Sequence, residues 1–517
     1  MTSINHSILT LITFVPALGA LLLVFFPRGE RGDRTLKWAA IAISVFAFVL
    51  SLHLPAQFDY RVAGFQPAFE VNRLWISTPN IHYHLGVDGI SMWLVVLTTF
   101  LVPLSIICQW NSIHGRVKEF LILLLLQETA MIGVFLSLDM FLFYVFWEAT
   151  LIPMALLIGV YGHDRRVYAA VKFFLYTMLA SVFMLGAIIW LYLNVGTFDY
   201  SAIQYALLSG QVPGFASAAP WLFLGFFIAF AVKVPIFPFH TWLPDAHVEA
   251  PTAGSILLAG VLLKMGTYGL MRFNVALFPE QARRNAPWIV ALAIIGIVYG
   301  ALVAMVQPNL KKLIAYSSVS HLGFVVLGIF SFTQAGADGA VYQMLNHGVS
   351  TGALFMLAGM LYDRRHTYEI SQFGGLATPM PVYATIFLWI TLSSIGLPLM
   401  NGFVGEFLVL SGAFQAKAMY GMLATTGVIW SAAYMLWVYQ RTFYGVVNNS
   451  ANQNLPDVNN RERLALIPLA AFALIMGIAS PYWMKAIDPS AAAINSAKST
   501  RSTAPVASVS KEIRRQP

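Results

Sequence analysis

Apolar segments of about 20 residues recur along nearly the whole chain, separated by short polar connections. A helix of that length crosses a hydrocarbon core about 30 Å thick, and within lipid a helix satisfies its own backbone hydrogen bonds. With 58% hydrophobic and only 10% charged residues, the 517-residue chain also has too little charge to cover a soluble globule. The sequence therefore predicts an all-α, polytopic membrane protein with about 14 transmembrane helices, numbered spans 1 to 14 in chain order.

The distribution of lysine and arginine predicts the orientation of these spans. Sixteen basic residues lie in loops after odd-numbered spans and six in loops after even-numbered spans, or twelve if the carboxyl-terminal tail joins the second group. Because basic loops stay in the cytoplasm, the odd loops are expected there and the amino terminus outside. The net charge of +8 is scattered rather than gathered with aromatic residues on one face, so nucleic-acid binding is not expected.

Two spans contain residues that break a helix. Span 7 has Pro235, Pro238 and Pro244 within ten residues, and span 12 has Gly396 followed by Pro398. The backbone groups freed by such breaks must be satisfied by water, side chains or neighbouring helices, so the breaks should line polar cavities. Since the two breaks lie five spans apart, they predict two inverted five-helix repeats, each with a broken helix.

The expected organisation follows from these repeats and from the composition. Residues 1–116 hold spans 1 to 3 and an extramembrane loop, residues 117–273 form the first repeat (spans 4 to 8), and residues 286–445 form the second repeat (spans 9 to 13). Span 14 is expected at 462–485. The Ser-, Ala-, Lys- and Arg-rich stretch 486–517 is predicted to be a flexible tail.

Ionisable residues inside apolar spans are the candidates for function. An uncompensated charge at the centre of a spanning helix costs roughly 2.5 to 3.5 kcal/mol on insertion scales, so charges that are kept there are expected to be used. Structural ion pairs are the weaker alternative, because apolar side chains stabilise a helix bundle more readily. The candidates are Glu148 in span 5, Lys233 in span 7, Lys264 in span 8, His321 in span 10, His347 in span 11 and Glu406 in span 12.

These residues suit a proton relay along the membrane midplane. Glu148 has no local partner, and Lys233 is the natural one, since opposite charges about 4 Å apart attract by roughly 4 kcal/mol at an effective dielectric of 20. Separating such a pair would favour loss of the lysine proton. His321 and His347 suit a relay because histidine changes charge near physiological pH, although a histidine bonded to a backbone carbonyl is about as common.

Other polar residues are weaker candidates for a functional role. Glu128 in span 4 is equally compatible with a structural role, and His82 and His84 have the spacing of metal ligands but neither a third ligand nor a neighbouring cysteine, so a surface position is favoured. The lone Cys108 allows neither an internal disulfide nor a cysteine metal site. Four residues at the end of span 7 are expected at an aqueous boundary, where they could admit protons: His240, Asp245, His247 and Glu249.

Several motifs resemble those of a known family. The segment that contains both lysines, KVPIFPFHTWLPDAHVEAPTAGSILLAGVLLKMGTYGL, strongly resembles the hallmark of the proton-conducting antiporter-like subunits of respiratory complex I. Within that family, HLGVDGISMWLVVLTTFL, FWEATLIPM, NLKKLIAYSSVSHLGF and GLPLMNGFVGEF are similar to the chain M group, the counterpart of mitochondrial subunit 4. The resemblance extends from about His84 to about Tyr444. It implies a 14-helix subunit in which Glu148 pairs with Lys233, Lys264 is central and Glu406 belongs to a second half-channel.

The resemblance also implies a function. It predicts a proton-translocating membrane subunit of a bacterial NADH:quinone oxidoreductase, multi-pass in the cytoplasmic (inner) membrane and driven by redox chemistry in other subunits. It implies no cofactor in this chain and places NAD, flavin, iron-sulfur clusters and quinone in partner subunits; the chain itself lacks a Gly-rich dinucleotide fingerprint and a cysteine cluster. The expected partners are other complex I membrane subunits, including two sister antiporter-like chains, and lipids.

Two alternatives keep the membrane architecture. One is a subunit of a multisubunit sodium/proton antiporter or of a membrane-bound hydrogenase, both of which share the hallmark segment. The other is a scaffold that conducts no protons, in which neutralising a buried charge would have little effect on proton flux.

Overall fold

The computed structural model describes residues 2–113 and 115–496. Twelve helices in this part of the chain are long and apolar enough to cross a membrane, and a bent helix pair near the end makes a thirteenth. The interrupted span 12 completes the predicted set, which confirms the all-α polytopic fold. The spans are, in order, Thr2–Val24, Glu30–Ser51, Gly89–Cys108, Val117–Leu136, Met140–Tyr161, Arg166–Val195, Phe215–Lys233 with Trp242–Glu249, Thr252–Val275, Pro279–Met305, Leu310–Phe330, Gln334–Arg365, Pro381–Ser394 with Asn401–Ala416, Ala418–Phe443, and Asn460–Ile478.

The connections hold the smaller elements. The loop between spans 2 and 3 contains an antiparallel hairpin whose strands are Val71–Ile76 and Ile81–Leu85, an element that the helical periodicity did not predict. Its turn is closed by a hydrogen bond from the backbone N–H of Asn80 to the carbonyl of Ser77. The other short elements are the helices His53–Gln57, Tyr200–Leu208 and Ser480–Asn495 and the 3-10 turns Ile370–Gln372 and Ser450–Asn452.

The first repeat contains a small backbone joint between two of its loops. The loop after span 4 and the loop after span 6 are joined by two hydrogen bonds of 2.8 Å, from the N–H of Met140 to the carbonyl of Phe198 and from the N–H of Tyr200 to the carbonyl of Leu138. The Asp139 side chain accepts hydrogen bonds from the next backbone N–H groups and so caps the helix of span 5.

The second repeat contains the same joint. The N–H of Leu310 bonds to the carbonyl of Tyr368, and the N–H of Ile370 bonds to that of Pro308, again at 2.8 Å. Asn309 caps span 10 as Asp139 caps span 5. Each position lies 170 residues after its counterpart, from 140 to 310 and from 200 to 370. Because five spans separate the two joints, they lie on opposite faces of the membrane, as inverted repeats require.

Two predicted boundaries differ from the structure. Span 9 begins at Pro279 rather than at residue 286, because proline is well tolerated at the first position of a helix. The helix of span 14 ends at Ile478, and after a bend of 70° the chain forms the amphipathic helix Ser480–Asn495, so residues 486–495 belong to a helix rather than to the predicted tail. Pro481 explains the bend, since it cannot donate the hydrogen bond that would continue the first helix. The remainder of the predicted tail, residues 497–517, lies outside the described residues.

Candidate functional site

Lys233 lies at the break in span 7, and its side chain is completely buried. The first half of this span ends at Lys233, two residues before Pro235, whose missing N–H prevents the helix from continuing. The ammonium nitrogen lies 5.3 Å from the ring centroid of Trp147 and 5.5 Å from that of Phe173. It makes no hydrogen bond with any group in the described part of the chain. Aromatic ring faces, rather than a carboxylate, therefore form its immediate surroundings.

Glu148 follows Trp147 in span 5 and is half-buried. Its carboxylate accepts a hydrogen bond from the hydroxyl of Ser181 in span 6. Glu148 directly follows Trp147, whose ring lies against the Lys233 ammonium. However, the ion pairs formed within 4.0 Å among residues 2–113 and 115–496 do not include these two residues. Successive helical side chains point about 100° apart, so a cation that rests on Trp147 is directed away from Glu148. The structure thus places the predicted partners near each other without direct contact.

Lys264 lies in span 8, between two π-helical segments, Leu258–Leu262 and Leu270–Val275. Such segments depart from the regular helical hydrogen-bond pattern and are frequent at functional sites. The completely buried ammonium donates to the backbone carbonyl of Ala259, in the first π-helical segment. It also lies 2.6 Å from Nδ1 of His347 in span 11. Lys264 therefore links the first repeat directly to the second.

The two buried lysines lie on helices that are in close contact. A Cβ atom on Gly266 would lie only 3.0 Å from the carbonyl oxygen of Phe230 and from the backbone nitrogen of Val234. The absence of a side chain at Gly266 thus lets span 8 pack against the end of the first half of span 7, next to Lys233. No hydrogen bond joins Lys233 to Lys264, since the Lys233 ammonium has no hydrogen-bond partner among the residues described.

His321 and Glu406 are in contact in the second repeat. Nδ1 of His321 lies 3.1 Å from Oε1 of Glu406, and its Nε2 lies 3.4 Å from the hydroxyl of Ser394. The amide of Gln343 donates to the same carboxylate oxygen at 3.1 Å. The ring centroids of His321 and His347 are 5.8 Å apart. The structure thus brings four of the six predicted residues into one buried group, the second-half cluster: Lys264, His347, His321 and Glu406.

The break in span 12 gives Glu406 its position. The helix ends at Ser394, and Gly396 adopts a φ of +75°, a conformation that favours glycine. A Cβ atom on Gly396 would also lie 2.9 Å from Oε2 of Glu406. The helix resumes at Asn401 and places Glu406 on the face directed at spans 10 and 11. Glycine at this break therefore serves both the backbone turn and the close approach of the carboxylate.

The residues at the end of span 7 differ from the prediction of an aqueous boundary. His247 is completely buried, with its ring 4.3 Å from that of Phe355, and neither ring nitrogen has a partner within the described ranges. His240 and Glu249 are buried as well. Only Asp245 is partly exposed, and it forms an ion pair with Lys172 at 2.7 Å. The prediction was wrong for the other three residues because neighbouring spans cover this half-helix.

A polar cavity of about 450 Å³ lies at the face formed by the loops after odd-numbered spans. Its lining includes Gln109, His163, Asp363 and Glu462, which come from different loops or helix ends. Burial and the nearby Lys311 cation lower the pKa of His163 to about 4. Since His163 is neutral at physiological pH, this cavity is polar without a fixed positive charge at that side chain.

The other candidates lie apart from the cluster. Glu128 is buried in span 4, and its carboxylate makes no hydrogen bond in the part of the chain described. The surface prediction was wrong for His84, which is buried and bonds to Asp199 at 2.7 Å and to Glu70 at 2.8 Å. Within residues 2–113 and 115–496 no group of three or more histidine, cysteine, aspartate or glutamate residues is placed to hold a metal ion.

Two polar features were not predicted from the sequence. Gln343 lies four residues before His347 and so shares its helical face, a spacing that could have indicated a common site. The buried ion pair of Asp88 with Arg272 joins the start of span 3 to the end of span 8. Its partners are 184 positions apart, and no local pattern connects them.

Comparison with known proteins supports the resemblance seen in the motifs. Residues 137–431 match the family described as the membrane part of NADH:quinone oxidoreductase and Mrp antiporters. NADH-quinone oxidoreductase subunit M of Rhodobacter capsulatus is 47% identical over 496 residues, which are 94% of this chain and 96% of that protein. NADH-ubiquinone oxidoreductase chain 4 of Arabidopsis thaliana is 43% identical over 464 residues, 90% of this chain and 92% of that one.

The solved structures give the same result. A chain of respiratory complex I from Thermus thermophilus superposes with a TM-score of 0.85 at 33% identity, covering 94% of this chain and 99% of that chain. Sequence similarity over nearly the full length and a shared fold agree with each other. The chain therefore belongs to the antiporter-like membrane subunits of NADH:quinone oxidoreductase, in the subunit M group.

Proposed function

We propose that the chain is a proton-translocating membrane-arm subunit of NADH:quinone oxidoreductase, which moves protons through two half-channels joined by ionisable residues at the midplane. The observation that carries this proposal is the contact of Lys264 with His347 next to the contact of His321 with Glu406, all four buried. Three separate spans contribute titratable groups to this arrangement in addition to span 8. A purely structural bundle has no need for so many buried groups that exchange protons.

Glu148 and Lys233 form the switch of this mechanism. At an effective dielectric of 20, unit charges attract by about 4 kcal/mol at 4 Å and about 2 kcal/mol at 8 Å. A change in their separation over that range would alter the lysine's proton affinity about thirtyfold. Moving one charge against 100 mV costs about 2.3 kcal/mol, so the two energies are comparable. A small displacement of span 5 relative to span 7 could therefore drive one proton-transfer step.

The second-half cluster carries the proton onward in this proposal. A proton released by Lys264 passes to His347 over the 2.6 Å contact and later from His321 to Glu406 over the 3.1 Å contact. The two ring centroids are 5.8 Å apart and Nε2 of His347 makes no hydrogen bond in the described part of the chain, so a water bridges the rings in this proposal. Histidine can accept on one ring nitrogen and release from the other, which suits it to this role. Gln343 orients the Glu406 carboxylate by donating to the oxygen that faces His321.

The rest of the enzyme's chemistry is assigned to other subunits. NAD, flavin, iron-sulfur clusters and quinone belong to partner chains in this proposal, and the redox energy released there shifts the charge states in this subunit. The expected neighbours are other complex I membrane subunits, including two sister antiporter-like chains, and the expected location is the bacterial inner membrane with the amino terminus outside.

A role in a sodium/proton antiporter or a membrane-bound hydrogenase remains the alternative, because the matching family also includes Mrp antiporter subunits. The high identity to subunit M over nearly the whole chain favours the oxidoreductase. Neighbouring genes for quinone-reductase subunits would support the same choice.

Replacing Lys233 tests the proposal. The intact complex with Lys233→Ala, reconstituted in liposomes, should assemble and oxidise NADH while the number of protons moved per NADH falls. Lys417→Ala is the matched control, since Lys417 is exposed in the short connection between spans 12 and 13. A non-conducting scaffold predicts equal proton yields for the two variants, and that result in an assembled complex would contradict the relay.

A further inference from the structure

A long apolar groove runs along the outer surface of spans 2, 3 and 14. It consists of two cavities, one of about 940 Å³ and one of about 450 Å³, which meet at Phe48 and Phe100 because both residues line both of them. Arg34 at one end and Leu52, just after span 2, at the other are 18 positions apart, which corresponds to about 27 Å of helix. The groove is therefore about as long as the hydrocarbon core is thick.

The two ends of the groove carry different residues. Arg34 and Arg461 line the end at the face of the odd-numbered loops, together with Trp38 and Trp110, whose rings are 5.1 Å apart. The opposite end is lined by aromatic residues, among them Trp93. Tryptophan is enriched at both membrane–water boundaries, so the groove extends from one boundary to the other.

The arginines at the first end form no ion pair within 4.0 Å in the described ranges. Neither Arg34 nor Arg461 forms a side-chain hydrogen bond or an ion pair with a residue there, and Nε of Arg461 is buried without a partner. Lys37, one turn along span 2, adds a third positive charge and donates to the carbonyl of Trp110 at 2.6 Å. The neighbouring Glu462 is engaged by Arg364 at 2.7 Å.

We propose that this groove binds one anionic phospholipid, with its phosphate between Arg34 and Arg461 and its acyl chains along Phe48 and Phe100. Guanidinium groups bind phosphate through paired, charge-assisted hydrogen bonds, and basic pockets between helices on the cytoplasmic side suit acidic headgroups. The positive-inside rule assigns the arginine end to the cytoplasmic leaflet. A transmembrane helix of another subunit would fill the apolar length but would leave both guanidinium groups without an anion.

The test uses the intact complex in lipid nanodiscs that contain a phosphatidylglycerol with a photoreactive group in its acyl chain. After illumination, mass spectrometry should find the label on peptides that contain Phe48 or Phe100. The double variant Arg34→Gln/Arg461→Gln should reduce that labelling about tenfold or more, because it removes both phosphate ligands. Arg463→Gln is the matched control: Arg463 is exposed on the same helix, outside the groove, and its removal should leave the labelling unchanged.

A second variant keeps the proposal testable if the arginine variant fails to assemble. Val45 lines the groove and is partly exposed, so Val45→Trp should fill the groove, reduce labelling and leave the arginines in place. Three outcomes would overturn the proposal. The first is that a phosphatidylcholine probe with the same photoreactive chain labels the groove equally. The second is that labelling is unchanged in both groove variants. The third is that the wild-type groove carries no lipid label and is cross-linked to another chain instead.

Discussion

The two five-span repeats share a backbone design but differ in how their buried charges are held. In the first repeat, the Lys233 ammonium rests against aromatic rings, and the nearest acid, Glu148, is bonded to a serine instead. In the second, Glu406 is held by His321 and Gln343. Polar groups in a low-dielectric interior are costly without partners and rigid with them. Lys233 at the first broken helix is therefore suited to switching, and Glu406 at the second to proton transfer along fixed contacts.

The shared joint shows that this difference lies in the side chains and not in the backbone. Glu148 lies nine residues after the cap Asp139, and the residue nine positions after the corresponding cap, Asn309, is Ser318. The first half of the broken helix ends at Lys233 in span 7 and at Ser394 in span 12. One architecture thus carries charges at two positions in the first repeat and hydroxyl groups at those positions in the second. Substitutions that remove these charges test whether the two repeats have different roles in proton transfer.

Glu148→Gln should have the largest effect on proton pumping, because Glu148 follows Trp147, against whose ring the Lys233 ammonium lies. Glutamine can still accept the Ser181 hydrogen bond, so the fold should persist. Loss of an interaction of about 2 kcal/mol should slow proton transfer through this subunit about tenfold or more, and the protons pumped per NADH by the reconstituted complex should fall. Glu280→Gln, at an exposed position early in span 9, is the control. Equal proton pumping by both variants would contradict the proposal that Glu148 and Lys233 form a switch.

Glu406→Gln should have a smaller effect, since the second-half cluster contains several groups that can pass a proton. The amide keeps an acceptor for Gln343 but removes the charge that faces His321. A loss of about 1 kcal/mol corresponds to a decrease of about fivefold in proton pumping. The same assay measures it, and Glu406→Asp should recover part of the loss. A decrease as large as that of Glu148→Gln would show that no other group of the second-half cluster can replace Glu406.

The sequence predicted the architecture well because its signals are local. Apolar length, positive charge in the loops and prolines at the breaks lie within single segments, and the six ionisable residues within spans stand out against their apolar neighbours. The geometry of the site depends on contacts between segments. The distance of Glu148 from Lys233 depends on where Trp147 points, and the burial of His84 depends on Asp199, which is 115 residues away. No local periodicity contains that information.

Gly396→Ala should destabilise the second repeat specifically. The φ of +75° disfavours any side chain, and a Cβ atom at this position would lie 2.9 Å from Oε2 of Glu406, so the expected cost is about 1 to 2 kcal/mol. The thermal midpoint of the purified complex should fall. Gly186→Ala is the matched control, because a Cβ atom there meets nothing within 4 Å and the residue lies inside the helix of span 6. Identical midpoints for the two variants would show that the break tolerates a side chain.

His84→Gln should have the smallest effect and should act where the loop before span 3 contacts Asp199 of the first repeat. Burial by itself lowers the pKa of His84, but its hydrogen bonds to Asp199 and Glu70 outweigh that effect and raise the pKa above the ordinary value. Because the pKa is higher in the folded than in the unfolded protein, the stabilisation is complete below about pH 6.5, the ordinary histidine pKa, and is lost as the pH rises through the folded value.

The thermal midpoint of His84→Gln should therefore fall further below that of the wild type at pH 5.5 than at pH 8.5, while proton pumping stays nearly unchanged. His82→Gln is the control from the same strand, since His82 contacts the neutral side chains of Asn72 and Asn80. Its effect on the midpoint measures the cost of removing an imidazole from this strand. If the deficit of His84→Gln were equal at pH 5.5 and pH 8.5, the His84 contacts would be structural hydrogen bonds of a neutral ring.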